Sequence, residues 1–146
     1  MKLRLTIDLR QLQMYSVIVP IYRNEETIEK LFDRLDRIAA ELKGPLEVVF
    51  VIDGSPDNCY ELIELGVPGR AFTSQLIRLS RNFGSFAAIR MGLEHATGQY
   101  MAVMAADLQE PESLVLEFFK ALAADSVDLV VGTRGERHDP AATKAT

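Results

Sequence analysis

From Tyr15 onward, short unbroken apolar runs alternate with longer stretches in which apolar residues recur every three or four positions. The runs are YSVIVP from Tyr15, LEVVFVI at 46–52, QLIRLS at 75–80, QYMAVMAA at 99–106 and VDLVVG at 127–132, and each predicts a buried strand. Between the first two, residues 25–43 place Ile28, Leu31, Phe32, Leu35, Ile38, Ala39 and Leu42 on one side of an amphipathic helix. CYELIEL at 59–65 predicts a short helix ending at Gly66, and a third helix runs through Ala96 to a closing Gly98. The stripe Phe83, Phe86, Ile89 and Leu93 there is expected to be core rather than an open groove. Residues 110–123 form a fourth helix, with Leu114, Leu116, Phe118, Phe119 and Leu122 supplying its bulk.

The strands begin near 15, 47, 75, 99 and 127, close to the spacing of successive βαβ units. The prediction is an α/β protein with a mostly parallel sheet and helices on both faces. Ligands of such sheets gather beyond the carboxyl ends of the strands, where the order reverses. With strand order 3-2-1-4, VPIYRNEE after strand one would face AADLQ after strand four. Asp53 and Asp57, Arg81 and Asn82, and Arg134 would stand along the same rim.

The two ends depart from this rhythm. In MKLRLTIDLRQLQ, Leu3, Leu5, Ile7 and Leu9 alternate with polar residues, so residues 1–14 read either as a leader or as an edge strand. Residues 15–139 are expected to form one domain and residues 140–146 a ragged tail. A chain cut after the fifth strand would expose a sheet edge or an apolar face, so self-association into a homo-oligomer is expected.

Composition narrows the function. The 146-residue chain is 48% hydrophobic and carries a net charge of −5, which supports a folded core and offers no general attraction for nucleic acid. One cysteine, Cys59, and two histidines, His95 and His138, leave no internal disulfide and no structural zinc site. No stretch approaches the roughly 20 apolar residues of a membrane helix. A cytoplasmic location follows as the expectation.

The motifs G-x-G-x-x-G, G-x-x-x-x-G-K-[ST] and G-x-S-x-G are all absent, which disfavours hydride transfer, P-loop chemistry and acyl transfer. What remains is an acid, Asp107, where the apolar run in VMAADLQEPE stops. A divalent cation can bridge such a carboxylate to the phosphates of a nucleoside diphosphate. The alternative is a plain helix cap for the helix starting near Pro111.

Five segments in register, SVIVPIYRNEETI, VVFVIDGSPDN, LSRNFGSFAAIRMGLEHATG, VMAADLQEPE and DLVVGTRGERHDP, resemble the inverting GT-A glycosyltransferases of family 2. The resemblance is strongest to the branch of polyprenyl-phosphate (dolichyl-phosphate-type) sugar transferases, and it covers residues 15–139. It implies the GT-A nucleotide-diphospho-sugar transferase fold. It also implies a UDP- or GDP-linked sugar donor, Mg²⁺ or Mn²⁺ as cofactor, and transfer with inversion to an acceptor that in this branch is a polyprenyl phosphate at the cytoplasmic face of the membrane. Position by position, Pro20, Tyr22, Asn24 and Glu25 would line the nucleotide pocket together with Ala106. Asp53 would bond the base or ribose, with Ser55 and Asp57 shaping its turn, and Arg81, Asn82 and Gly84 would lie near the nucleotide. Asp107 matches the second acid of D-x-D and Gln109 a further metal contact. Arg134 matches an arginine that meets the acceptor phosphate.

Two positions depart from that pattern: Ile52 precedes Asp53 where the family shows a pair of acids, and Ala105 stands where D-x-D begins. Fewer charges imply weaker metal binding, or metal held chiefly by the donor diphosphate. The competing expectation is therefore a nucleotide-sugar binding module, or inactive fragment, without the acceptor site. A nucleotidyltransferase is disfavoured because PIYRNEE contains no glycine.

Overall fold

The computed structural model describes residues 13–133. Four strands, β1 (Tyr15–Ile21), β2 (Leu46–Ile52), β3 (Thr73–Arg78) and β4 (Tyr100–Val103), form a parallel sheet in the order β3-β2-β1-β4. The expected order holds, with Tyr15 beside both Leu46 and Tyr100. β1 and β2 are central and buried on both faces, which is why they read as continuous apolar runs rather than alternating ones.

Helices α1 (Ile28–Glu41), α2 (Cys59–Gly66) and α4 (Glu112–Ala123) share one face of the sheet. Ile28, Leu31, Phe32, Leu35 and Ile38 of α1, Ile63 of α2 and Val115 and Phe119 of α4 pack there on Val17, Val19, Val48 and Phe50. Burying each such side chain contributes about 1.5–3 kcal/mol. Helix α3 (Ser85–His95) lies alone on the other face among the described residues, with Ala88 against Ile18, Val49 and Val51. It sits close because a Cβ on its Gly92 would overlap the Ile18 side chain.

The amino ends of the strands are joined by a buried carboxylate. Glu47 of β2 is 7% exposed and accepts hydrogen bonds from Ser16 Oγ (2.6 Å), Gln75 Nε2 (2.7 Å), Thr97 N (2.9 Å) and Thr97 Oγ1 (3.1 Å).

Three expectations fail. Residues 127–133 form no strand, and Leu129 and Val131 are 77% and 71% exposed. A strand exists only by pairing, and this segment runs past α4 instead of along β4: Gly132 lies against the ring of Phe118. The Phe83, Phe86, Ile89, Leu93 stripe is not core, since Phe86 is 88% exposed and Phe83 and Leu93 are also open to solvent. α3 turns Ala88 and Gly92 toward the sheet, so Phe86 and Leu93 lie on its outer side, and Phe83 precedes the helix. Gly98 does not close α3, whose last residue is His95; its N–H donates to Ser16 Oγ at 2.8 Å. The edge strand or leader read at the amino end falls almost wholly outside the described residues.

Candidate functional site

The carboxyl ends of β1 and β4 open onto a cleft of about 280 Å³. Pro20, Tyr22 and Asn24 enter it from β1, Asp53 from β2, Asn82, Gly84 and Ser85 from the loop after β3, and Ala105, Ala106 and Asp107 from β4. An adjoining hollow, also about 280 Å³, shares Asn24 and Asp107 and adds Arg23, Glu25 and Asp57. Segments far apart in sequence thus converge because a parallel sheet delivers every strand's carboxyl end to one rim.

The loop after β1 is locked to the loop after β2. Arg23 N donates to Ser55 Oγ (2.7 Å), Ser55 Oγ donates to Asp57 Oδ1 (2.5 Å), and Glu25 N donates to Asp57 Oδ2 (3.2 Å). In return the Glu25 carboxylate accepts from Asn58 N (3.3 Å) and Nδ2 (3.2 Å). Burial pushes the Asp57 carboxyl upward, but the bonds from Ser55, Cys59 and Glu25 outweigh it and hold the group below the ordinary aspartate value. Cys59, wholly buried beside it, is pushed up to about 12, by burial first and by Asp57 second.

Asp53 is 3% exposed, and its oxygens accept from Phe83 N (2.8 Å) and Gly84 N (3.0 Å), so it holds the loop that brings Asn82 to the cleft. The approach requires Gly54, at φ 63°, because a Cβ there would collide with the Arg81–Asn82 backbone. Gly84 and Ser85 open α3, whose first-turn N–H groups have no intrahelical acceptor and start at the cleft wall. The sequence signal for this donor row, a glycine followed by Ser85 at a helix start, is weaker than any glycine-rich phosphate motif.

Asp107 sits in a tight turn in which Gln109 N donates to its Oδ1 at 3.2 Å. It is exposed and does not cap α4, whose N-cap is Pro111. Leu108 takes the left-handed conformation, φ 64°. Behind the turn, Thr27 Oγ1 donates to Ala106 O at 2.8 Å, and Arg34 Nη1 donates to Leu108 O at 3.4 Å and to Glu110 O. Neither Thr27 nor Arg34 was singled out by sequence, where both are ordinary residues at the start and on the flank of an amphipathic helix.

The remaining expected residues lie apart. Gln109 lines a separate hollow of about 680 Å³ beside α4, which touches the cleft through Pro20 and Ala105. Arg81 places its guanidinium 4.3 Å from the centre of the Phe83 ring and does not line the cleft. Arg134 lies outside the described residues. No group of three or more His, Cys, Asp or Glu side chains among the described residues could cage a metal ion. The donor set at Asp107, one exposed carboxylate with an open cleft before it, instead fits a hard cation shared with phosphate oxygens.

A parallel sheet of this order, with helices on both faces and polar loops gathered at the carboxyl ends of β1 and β4, defines an open α/β protein of the Rossmann-like class. The particular family follows from comparison: the model described as glycosyl transferase family 2 matches residues 16–144, and the chain belongs to that family. It is 32% identical over 130 residues to an undecaprenyl-phosphate 4-deoxy-4-formamido-L-arabinose transferase of Pseudomonas aeruginosa, covering 89% of this chain and 38% of that protein. It is 36% identical over 108 residues to the uncharacterized glycosyltransferase YkcC of Bacillus subtilis, covering 73% and 32%. Among solved structures, the mannosyltransferase PcManGT of Pyrobaculum calidifontis, in complex with GDP-Man and Mn²⁺, superposes with a TM-score of 0.61 at 28% identity over 75% of this chain and 32% of that one. S. aureus TarS 1-349 in complex with UDP-GlcNAc shares the fold, with a TM-score of 0.63 at 24% identity over 77% and 32%. The chain therefore spans well under half the length of these relatives.

Proposed function

We propose that this chain is the donor-binding part of an inverting transferase that moves a sugar from a UDP- or GDP-linked donor to a polyprenyl phosphate. The observation that carries the reading is the single cleft gathering Pro20, Asn24, Asp53, Asn82, Ala106 and Asp107. The names of the Pseudomonas relative and of the solved complexes supply the acceptor and donor classes.

In this mechanism an oxygen of the acceptor phosphate forms the bond to the anomeric carbon as the bond to the nucleotide's terminal phosphate oxygen breaks. The electron pair leaves with the diphosphate. The acceptor is already anionic, so no general base is needed, and the protein's work is positioning and charge stabilisation. Mg²⁺ or Mn²⁺, when bound, supplies charge neutralisation at the leaving diphosphate. Asp107 would hold it; Gln109, the further contact that the resemblance implies, lines the neighbouring hollow instead. The first turn of α3 offers backbone donors to the phosphates, and the Asn24 and Asp53 side of the cleft receives the nucleoside. Arg134 would meet the acceptor phosphate.

A lipid-linked acceptor would put the reaction at a membrane surface, and a nucleotide-linked donor at its cytoplasmic face, although no helix among the described residues is long and apolar enough to cross one. Among the described residues no strand pairs with the outer edge of β4, and this edge with the exposed Leu129 and Val131 supports self-association. One feature favours binding without turnover: Ala105 gives the cleft a methyl group where the family pattern has an acid.

Isothermal titration with UDP- and GDP-sugars, with and without MnCl2, tests the reading. Binding that tightens with manganese, together with slow donor hydrolysis, is expected. Metal-independent binding without hydrolysis would establish the binding module instead, and no binding of either donor would overturn both.

A further inference from the structure

We infer that Arg34, on α1, is a positioning residue for Asp107: its guanidinium pins the two peptide carbonyls on either side of Gln109 and so fixes the aim of the carboxylate. The inference rests on the proposed donor site. Arg34 is only 19% exposed in its side chain, and Nη1 donates to Leu108 O at 3.4 Å and to Glu110 O. Its Nε is buried without a hydrogen-bond partner and faces Glu112 Oε2 at 3.9 Å. Glu112, the first residue of α4, is taken instead by Arg37, whose Nε donates to both carboxylate oxygens at 3.0 Å.

Arg34 is part-buried, and the hydrogen bonds its guanidinium makes go to these two carbonyls. The turn needs such support. Leu108 is left-handed, a conformation that a residue with a Cβ adopts only when its surroundings impose it. The one hydrogen bond orienting the Asp107 carboxylate comes from Gln109 N, and that peptide is the unit Arg34 holds from behind. Thr27, bonded to Ala106 O at 2.8 Å, holds the residue before. Because Ala105 supplies no second acid, the affinity for a phosphate-bridging cation depends on one side chain pointing correctly.

A plain structural staple between α1 and α4 would predict lower stability and nothing more. Arg70 provides that comparison. It ties α1 to the turn before β3 through Glu29 (3.0 Å), Asp33 (3.4 Å) and Asp36 (3.1 Å), and it lines neither hollow of the donor site.

The experiment titrates UDP and GDP, each with and without MnCl2, into the parent chain, R34M, R34K and R70M, with thermal melts alongside. In R34M the gain in affinity on adding manganese should fall by about 10- to 100-fold, as for other residues that orient a metal ligand, while binding without manganese is retained. R34K, which keeps the charge but not the fork, should recover part of the gain, and R70M should lower Tm with the gain intact. A folded R34M with the parent's gain overturns the inference, as does an equal loss in R70M. Should R34M not fold, an unchanged gain in R34K overturns it. If the parent binds nucleotide but shows no gain with manganese, the metal-holding role of Asp107 fails, and the inference with it; if it binds neither nucleotide, the donor-site reading fails first. If the parent shows the gain and the Arg34 variants keep it, only the role of Arg34 fails.

Discussion

Replacing Glu47 by glutamine should cost the protein about 3 kcal/mol while leaving the donor cleft intact. In the native protein each carboxylate oxygen accepts two hydrogen bonds: Oε2 from Ser16 Oγ and Thr97 N, Oε1 from Gln75 Nε2 and Thr97 Oγ1. An amide keeps the shape but turns one acceptor into a donor facing two donors. Two bonds to a charged group, worth about 1.5–3 kcal/mol each, are lost, and the lower end applies because Gln75 and Thr97 can turn partly to water. Against a total stability of about 5–15 kcal/mol this is large, and for a chain of this size it lowers Tm by about 10 °C.

The pH dependence carries the sharper test. Burial raises the Glu47 pKa, but the four donors outweigh it and hold the group below its ordinary value of 4.5. Its contribution is therefore fully present above 4.5 and is lost as pH falls through the depressed native value. Glutamine does not titrate, so the gap between parent and E47Q, followed by thermal melts between neutral and acid pH, should close on acidification. A gap that stays constant across that range would refute the reasoning, and so would an unmoved Tm at neutral pH. Nucleotide binding by folded E47Q should match the parent, because Glu47 lies at the opposite rim of the sheet from Asp107.

Other predictions are equally direct. Asp107→Asn should remove the manganese-dependent part of nucleotide affinity without changing Tm, since the side chain is exposed and accepts one local hydrogen bond; calorimetry and melting in parallel check both. Cys59 should resist iodoacetamide in the native protein at mildly alkaline pH and react once urea unfolds it, because its thiol is held protonated up to about 12 and is wholly buried. Fast native alkylation would count against the packing around Asp57. Gly92→Ala should destabilise by about 1–2 kcal/mol in urea unfolding, the overlap with Ile18 outweighing the gain in helix propensity, and Ile18→Val should relieve part of that loss.

The sheet was readable because β1 and β2 are buried on both faces, so that their apolar runs admit one interpretation. The α1 stripe was readable for the same reason: its helix presents five buried apolar residues to one surface. The outer face of α3 and the segment 127–133 misled because hydrophobicity alone does not say which side of a helix meets the sheet, nor whether a strand finds a partner. There the decisive residues were the small ones, Ala88 and Gly92 in α3 and Gly132 against Phe118. At the site, the rim acids and polar residues stood out at strand ends. Thr27 and Arg34 did not, because their role comes from carbonyls that only the folded chain brings near, and the left-handed Leu108 has no sequence signature at all.

The ladder joining Tyr15 to Tyr100 has a consequence in time rather than in energy. When β1 emerges from the ribosome its second neighbour does not yet exist, and at roughly 5–20 residues per second the wait for β4 is on the order of 4–17 s. Through that interval the nascent protein has no completed pocket wall. β2 and α1 stay on β1 throughout, and only what covers its still open edge, such as a chaperone, must yield when β4 arrives, so translation speed between these two strands sets the window in which misassembly competes with native closure.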